Sequence, residues 1–190
     1  MSVYDDKLTS WLIQPDNFET AWEINEAFEK AKFYLVENFY ESLKSALSDA
    51  DELSALGYKF ISSGTVDDSY PKLGFFKSNS NVRVQYERFD SRPYFGIWIH
   101  KSLQDMNNEE AALRHAEILK KSGYEGFDNF KRSQWWIGWQ YIDVNFANYE
   151  SLREILDDRR DKLINEAIER ISVYAQAVLP FIEEIEGKLK

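Results

Sequence analysis

Eight apolar positions near the C-terminus constrain this chain most. Ile164, Ile168, Ile171, Ala175, Val178, Ile182, Ile185 and Leu189 follow a four-three alternation, the spacing that keeps side chains on one stripe of a helix. Burying them at ~1.5–3 kcal/mol for each large side chain contributes on the order of ten kcal/mol or more before entropy. Such a stripe packs within the chain or against another subunit. A second helix, predicted over 18–47 with Asp16 or Asn17 as its cap, offers a matching face of Ile24, Phe28, Ala31, Leu35 and Phe39. Intramolecular pairing of the two is the expectation, and a homodimer through the C-terminal seam is the other outlet. Pro180 falls between two seam positions and is expected to kink or restart its helix.

Between these helices the period changes to two. Tyr58–Ser62, Lys72–Lys77, Val82–Phe89 and Tyr94–His100 read as strands, the last two joined by Asp90-Ser91-Arg92-Pro93 as an antiparallel hairpin. Asn107 or Asn108 caps a helix over 109–121 that Gly123 ends, 124–134 reads as a loop, and Trp135–Ile142 is a further strand. From Tyr149 the chain is again helical. The predicted fold is α+β: one domain over 1–190, with an antiparallel sheet of four or five strands packed with long N- and C-terminal amphipathic helices.

Several chemistries lack their residues. The chain has no cysteine and two histidines, His100 and His115, with no His-x-x-x-His pair or comparable ligand cluster. No Gly-rich phosphate loop, Walker lysine or Gly-x-Ser-x-Gly elbow occurs. Neither a metal nor a cofactor is expected, and no complete catalytic motif is present. The adjacent acids Asp5-Asp6, Asp67-Asp68 and Asp157-Asp158 read as solvated pairs. No stretch approaches the ~18 apolar residues of a membrane span. The N-terminus lacks a signal peptide's basic start and apolar run, so a cytoplasmic protein is expected.

Two surfaces remain as candidates. Glu19, Glu23, Glu26, Glu37 and Glu41 share the helical face opposite the apolar stripe, and residues 1–56 carry twelve acids against four lysines within a chain of net charge −10. Spaced carboxylates on a rigid helix imitate phosphates and suit a partner protein with a basic surface. The second candidate is aromatic. Tyr94, Trp98 and His100 share one strand face, and Trp135, Trp139 and Tyr141 lie near the same parity on a later strand, with Arg83 and Arg88 close by. Such rings stack bases or sugars. In a sheet held between helices the same rings only fill volume, and the net charge of −10 argues further against direct nucleic-acid binding.

The run Tyr94-Phe95-Gly96-Ile97-Trp98-Ile99, a helix, then Trp135-Trp136 leading to Trp139-Gln140-Tyr141-Ile142 and a closing helix resembles the C-terminal accessory region of PD-(D/E)XK nuclease-like proteins. The resemblance covers most of residues 20–190 and rests on aromatic spacing and element order. That superfamily's site needs an acid ending one strand and Glu-x-Lys on the next, to hold Mg²⁺ and orient water. The sole Glu-x-Lys here is Glu186-Gly187-Lys188, at the end of the last helix. The resemblance therefore implies the accessory part without the nuclease core, and no catalytic residue carries over. The leading expectation is a non-catalytic protein-interaction domain, an acidic inhibitor or DNA mimic, or an accessory factor of a nuclease or defence system. The alternative is a ligand- or single-stranded nucleic-acid-binding module using the aromatic face.

Overall fold

A computed structural model describes residues 3–68, 70–156 and 159–189. The fold is α+β, with long N- and C-terminal helices and one six-stranded, wholly antiparallel sheet. The helices are α1 (Val3–Leu12), α2 (Pro15–Ser48), α3 (Asp51–Ala55), α4 (Glu109–Lys121), α5 (Tyr149–Leu156) and α6 (Arg159–Gly187). The strands are β1 (Lys59–Ser63), β2 (Lys72–Phe76), β3 (Val82–Glu87), β4 (Tyr94–Ile99), β5 (Lys131–Ser133) and β6 (Trp136–Tyr141), in the spatial order β1-β2-β3-β4-β6-β5. Among the described residues no helix is long and apolar enough to cross a membrane.

Where the sequence reading has one domain, the chain forms two compact units, Met1–Leu35 and Val36–Lys190. In the first, Leu8, Trp11, Ile13, Phe18, Trp22, Ile24, Phe28 and Tyr34 are each more than half exposed. The predicted apolar face of α2 is thus solvent-facing at Ile24 and Phe28. It is buried only from Val36 onward, through Phe39, Tyr40, Leu43 and Leu47. Pro15 is the first residue of α2, where its missing N–H costs nothing.

In the second unit the C-terminal seam is covered by its own sheet and by α3, α4 and α5. Ile164, Ile171, Ala175, Val178, Ile182 and Ile185 are buried. The Tyr86 hydroxyl donates to the Ala167 carbonyl at 2.8 Å, the Tyr58 hydroxyl to the Ala175 carbonyl at 3.0 Å, and Phe95 meets Tyr174 edge-on at 5.1 Å. Within this unit the seam therefore packs against the sheet and the helices α3, α4 and α5, with Ile168 and Leu189 only half-buried. Pro180 neither ends nor restarts α6.

The one Glu-x-Lys also has a structural task. Glu186 is buried, and its carboxylate accepts from the Ser78 and Asn79 backbone N–H groups at 3.1 and 3.0 Å and from the Ser78 hydroxyl. It ties the β2–β3 turn to α6. Asn108 caps α4, its side chain accepting from the Ala111 N–H at 2.9 Å, while Asn107 donates to the Ser133 carbonyl and anchors β5. β5 lies in the stretch read as a loop. All three of its residues are exposed, so no alternation marks it.

Candidate functional site

The helices of the second unit pack on one face of the sheet. Val84, Tyr86, Phe95 and Ile97 point into that layer and are buried. Gly138 faces the same way, so closely that an added Cβ would stand 2.4 Å from the His115 ring. Alternation sends the neighbouring residues to the opposite side. There the cross-strand pairs Glu87–Tyr94–Tyr141, Gln85–Gly96–Trp139 and Arg83–Trp98–Trp136 form three rows. A register shift between Ile97 and Trp98 brings Trp136 opposite Trp98 and adds it to this face.

The expectation that the sheet is shielded on both faces is overturned here. Trp98, Trp135, Trp136 and Trp139 line an open groove of about 500 Å³ together with Tyr70, Tyr94, Lys72, Glu87 and Ser133. Tyr94 is the hub, with ring centroids 5.2 Å from Trp136, 5.0 Å from Trp139 and 6.1 Å from Tyr141. Trp139 and Tyr141 meet edge-on at 5.1 Å. Sheet rings that only filled volume would meet a second layer; these meet cations. The Arg83 guanidinium lies 4.7 Å and the Lys72 ammonium 5.6 Å from the Trp98 ring centroid. Arg92 stands over Tyr141 at 4.4 Å, and Lys131 over Trp139 and Tyr141 at 5.4 and 5.3 Å. The ring faces attract these cations through their quadrupoles.

Within this cationic rim sits one buried carboxylate. Glu87 is 5 % exposed, and burial raises its carboxyl above the ordinary carboxylate range, a rise that Lys72 and the Gln85 amide partly offset. Among the described residues Glu87 makes no ion pair within 4 Å, and its hydrogen bond is from Gln85 Nε2 at 3.3 Å. Gln85 is fully buried, and its Oε1 has no partner. Flipping that amide would only exchange the orphan: an oxygen toward Glu87 needs a protonated carboxyl and leaves Nε2 unbonded. Gly74 and Gly96 flank Gln85 in the register. A Cβ on Gly74 would stand 2.5 Å from the Gln85 Cβ, and one on Gly96 only 2.0 Å from the Gly138 carbonyl oxygen, so backbone approach dictates both glycines.

Of the aromatic residues singled out from sequence, Tyr94, Trp98, Trp135, Trp139 and Tyr141 come together. His100 adjoins Trp98 at 6.1 Å, but its Nδ1 takes the Ser102 N–H and caps the turn after β4. Sequence reasoning missed Tyr70, Lys72, Gln85, Glu87 and Trp136. The alternation Arg83, Gln85, Glu87 on β3 is a legible polar face, whereas the β6 register shift has no sequence signal.

The five glutamates are divided. Glu19, Glu23 and Glu26 are exposed in the first unit, interspersed with the exposed Phe18, Trp22 and Ile24, and the Trp22 indole N–H donates to Glu26 at 3.1 Å. In the second unit Glu41 pairs with Lys44 at 3.0 Å, and Glu37 is half-buried. His115 is enclosed in the core, its Nε2 2.9 Å from the Tyr174 hydroxyl, and burial pushes its pKa down to about 4. Among the described residues no three His, Cys, Asp or Glu side chains are grouped to hold a metal. The Asp68 carboxylate takes the Thr65 N–H at 2.6 Å. Asp157-Asp158 lie outside the described residues, as do the side chains of Asp5-Asp6.

Two roomier concavities, of about 770 and 720 Å³, run along α4 and α6. The second is lined by charges that already satisfy one another, Arg114 with Glu117 and Glu184, and Lys188 with Glu184. The first mixes apolar and charged side chains, with Tyr124 as its one ring. Neither combines a cluster of rings with a buried carboxylate. Neither a protein-family model, nor a curated protein, nor a solved structure matches this chain.

Proposed function

We propose that this chain is a non-catalytic recognition module that binds single-stranded nucleic acid, the bases stacking on the open aromatic face of the sheet. The ring cluster of Tyr94, Trp98, Trp136, Trp139 and Tyr141, rimmed by Lys72, Arg83, Arg92 and Lys131, carries this reading. Rings supply sequence-tolerant stacking, and the cations supply the phosphate-tracking rim that single strands require. The net charge of −10 does not oppose it, because residues 57–145 carry twelve bases against eleven acids. Charges more than ~10 Å away are largely screened at ordinary ionic strength.

Tryptophan emission during titration with short oligonucleotides tests the proposal. Binding is expected to quench emission and to weaken with salt. Trp98→Ala and Trp139→Ala are each expected to cost about 1–3 kcal/mol, the worth of one stacked base. Emission and affinity that ignore every oligonucleotide sink the idea.

A second reading concerns the first unit. Its exposed Leu8, Trp11, Phe18, Trp22, Ile24 and Phe28 stand among the exposed Glu19, Glu23 and Glu26, and contiguous exposed apolar surface marks an interaction site. With seven acids against three lysines in residues 1–35, it suits a basic protein partner. An accessory role beside a nuclease, which the resemblance to PD-(D/E)XK nuclease-like proteins implies, accommodates both surfaces.

A further inference from the structure

We infer that Glu87 makes the aromatic groove select a base whose edge presents adjacent N–H donors, as guanine does, over bases that present an acceptor there. This rests on the nucleotide-binding reading above and adds to it the identity of the base.

Stacking alone is indifferent to sequence, since every base has a π-face. Discrimination comes from hydrogen bonds to the base edge, and a buried polar group left unmatched by the wrong base is what rejects it. The groove has one such group on its wall: a carboxylate 5 % exposed, with a single 3.3 Å hydrogen bond from Gln85 and no ion pair among the described residues. An ionised carboxylate accepts only, through two oxygens with about four lone-pair sites. Most of that capacity is unused, and a buried carboxylate in this condition is costly unless donors arrive.

A carboxylate with two oxygens and one 3.3 Å donor, on the wall of a ring-lined groove, describes the complement of a donor-rich edge. Guanine offers an imino and an amino N–H side by side, matched to the two oxygens of one carboxylate. Adenine and cytosine each set an amino group beside an acceptor nitrogen, and uracil sets one N–H between two carbonyls.

A purely cationic ligand is the competing occupant of an aromatic site with an acid. The cations already on the rings disfavour it. Lys72 and Arg83 occupy Trp98, and Lys131 occupies Trp139. Such a rim repels a cation and receives a phosphate, while the interior acceptor receives the base. A volume of about 500 Å³ suits one nucleotide.

Titration of the full chain with guanosine, inosine, adenosine and uridine monophosphates, followed by tryptophan emission, tests this. Inosine differs from guanosine only by lacking the 2-amino group. Guanosine monophosphate is expected to bind about tenfold or more tighter than the other three. Glu87→Gln, whose amide pairs an acceptor with a donor, is expected to abolish that preference and turn it toward adenosine. A merely structural Glu87 would not produce that reversal. A single guanine within a short oligothymidylate distinguishes a base in a strand from a free nucleotide by which binds tighter. Equal affinity for all four, or an order unchanged in Glu87→Gln, overturns the selectivity while leaving the stacking face standing. No response to any nucleotide or oligonucleotide removes both.

Discussion

At the scale of single residues, two buried groups titrate in opposite senses. His115 is neutral in the fold, with its pKa pushed from 6.5 to about 4 by burial. The unfolded chain therefore binds the extra proton between those values, and His115 withdraws stability as pH falls from about 6.5 toward 4. Its full effect is on the order of 3 kcal/mol. Glu87, with its carboxyl raised, acts the other way: its contribution is intact below the ordinary carboxylate value and lost as pH rises through the raised one. Urea midpoints measured from pH 4 to 8 on the wild type and on His115→Gln separate them. The difference between the two curves is expected to be flat above pH 6.5 and to close on acidification. Parallel curves would show that the imidazole titrates alike in the folded and unfolded chain. Neither environment was readable beforehand. His115 is enclosed because α4 lies on Gly138, a contact that no local pattern encodes.

At the scale of elements, sequence periodicity was reliable wherever one face is buried. α4 covers the predicted 109–121, and β1, β2, β3, β4 and β6 fall within two residues of their expected bounds. Asn108 marks α4, alternation marks β3, and apolar or aromatic runs bounded by turn residues mark β2, β4 and β6. β5 has none of these, since Lys131, Arg132 and Ser133 are all exposed. The partner of a stripe is a harder problem than the stripe. α6 shows its seam plainly, yet an apolar sheet and an apolar helix are equivalent partners at that level, and the seam took both, the sheet and the short helices α3, α4 and α5. Glu186 illustrates a contact made across 108 residues. Because its bonds are charge-assisted, Glu186→Ala is expected to cost about 2–4 kcal/mol and leave the turn amides without acceptors. Urea unfolding reads the cost. Amide exchange at Ser78 and Asn79, faster by well over tenfold, localises it. Exchange unchanged at those two amides would remove the turn-clamping role.

At the scale of the whole molecule, the net charge is an average that hides an uneven distribution. Twelve acids in residues 1–56 outweigh a middle section that is nearly neutral and places four cations around one set of rings. The predicted acidic face was correct in sequence but not in setting: large exposed apolar side chains share its helix, and Glu41 is already paired. Reversing Glu19, Glu23 and Glu26 to lysine tests whether that surface docks a basic protein. Capture of a partner that depends on ionic strength is expected to be lost, with oligonucleotide affinity changed by less than about threefold, since surface charges act mainly on their own neighbourhood. A partner retained by the reversed variant would disprove the docking role. The aromatic face was legible as a cluster of rings but not as an open surface, because alternation says which residues share a side and not whether a second layer covers it.

An open antiparallel sheet also has two margins at which a foreign strand could attach. One is β5, three residues long, with two cationic side chains and none of the length or apolar character that templated growth requires. Lys131 therefore serves twice, lying over Trp139 and Tyr141 while its charge discourages a neighbouring chain from lengthening the ladder. So short and charged a border gives a neighbouring chain little backbone to extend at this margin.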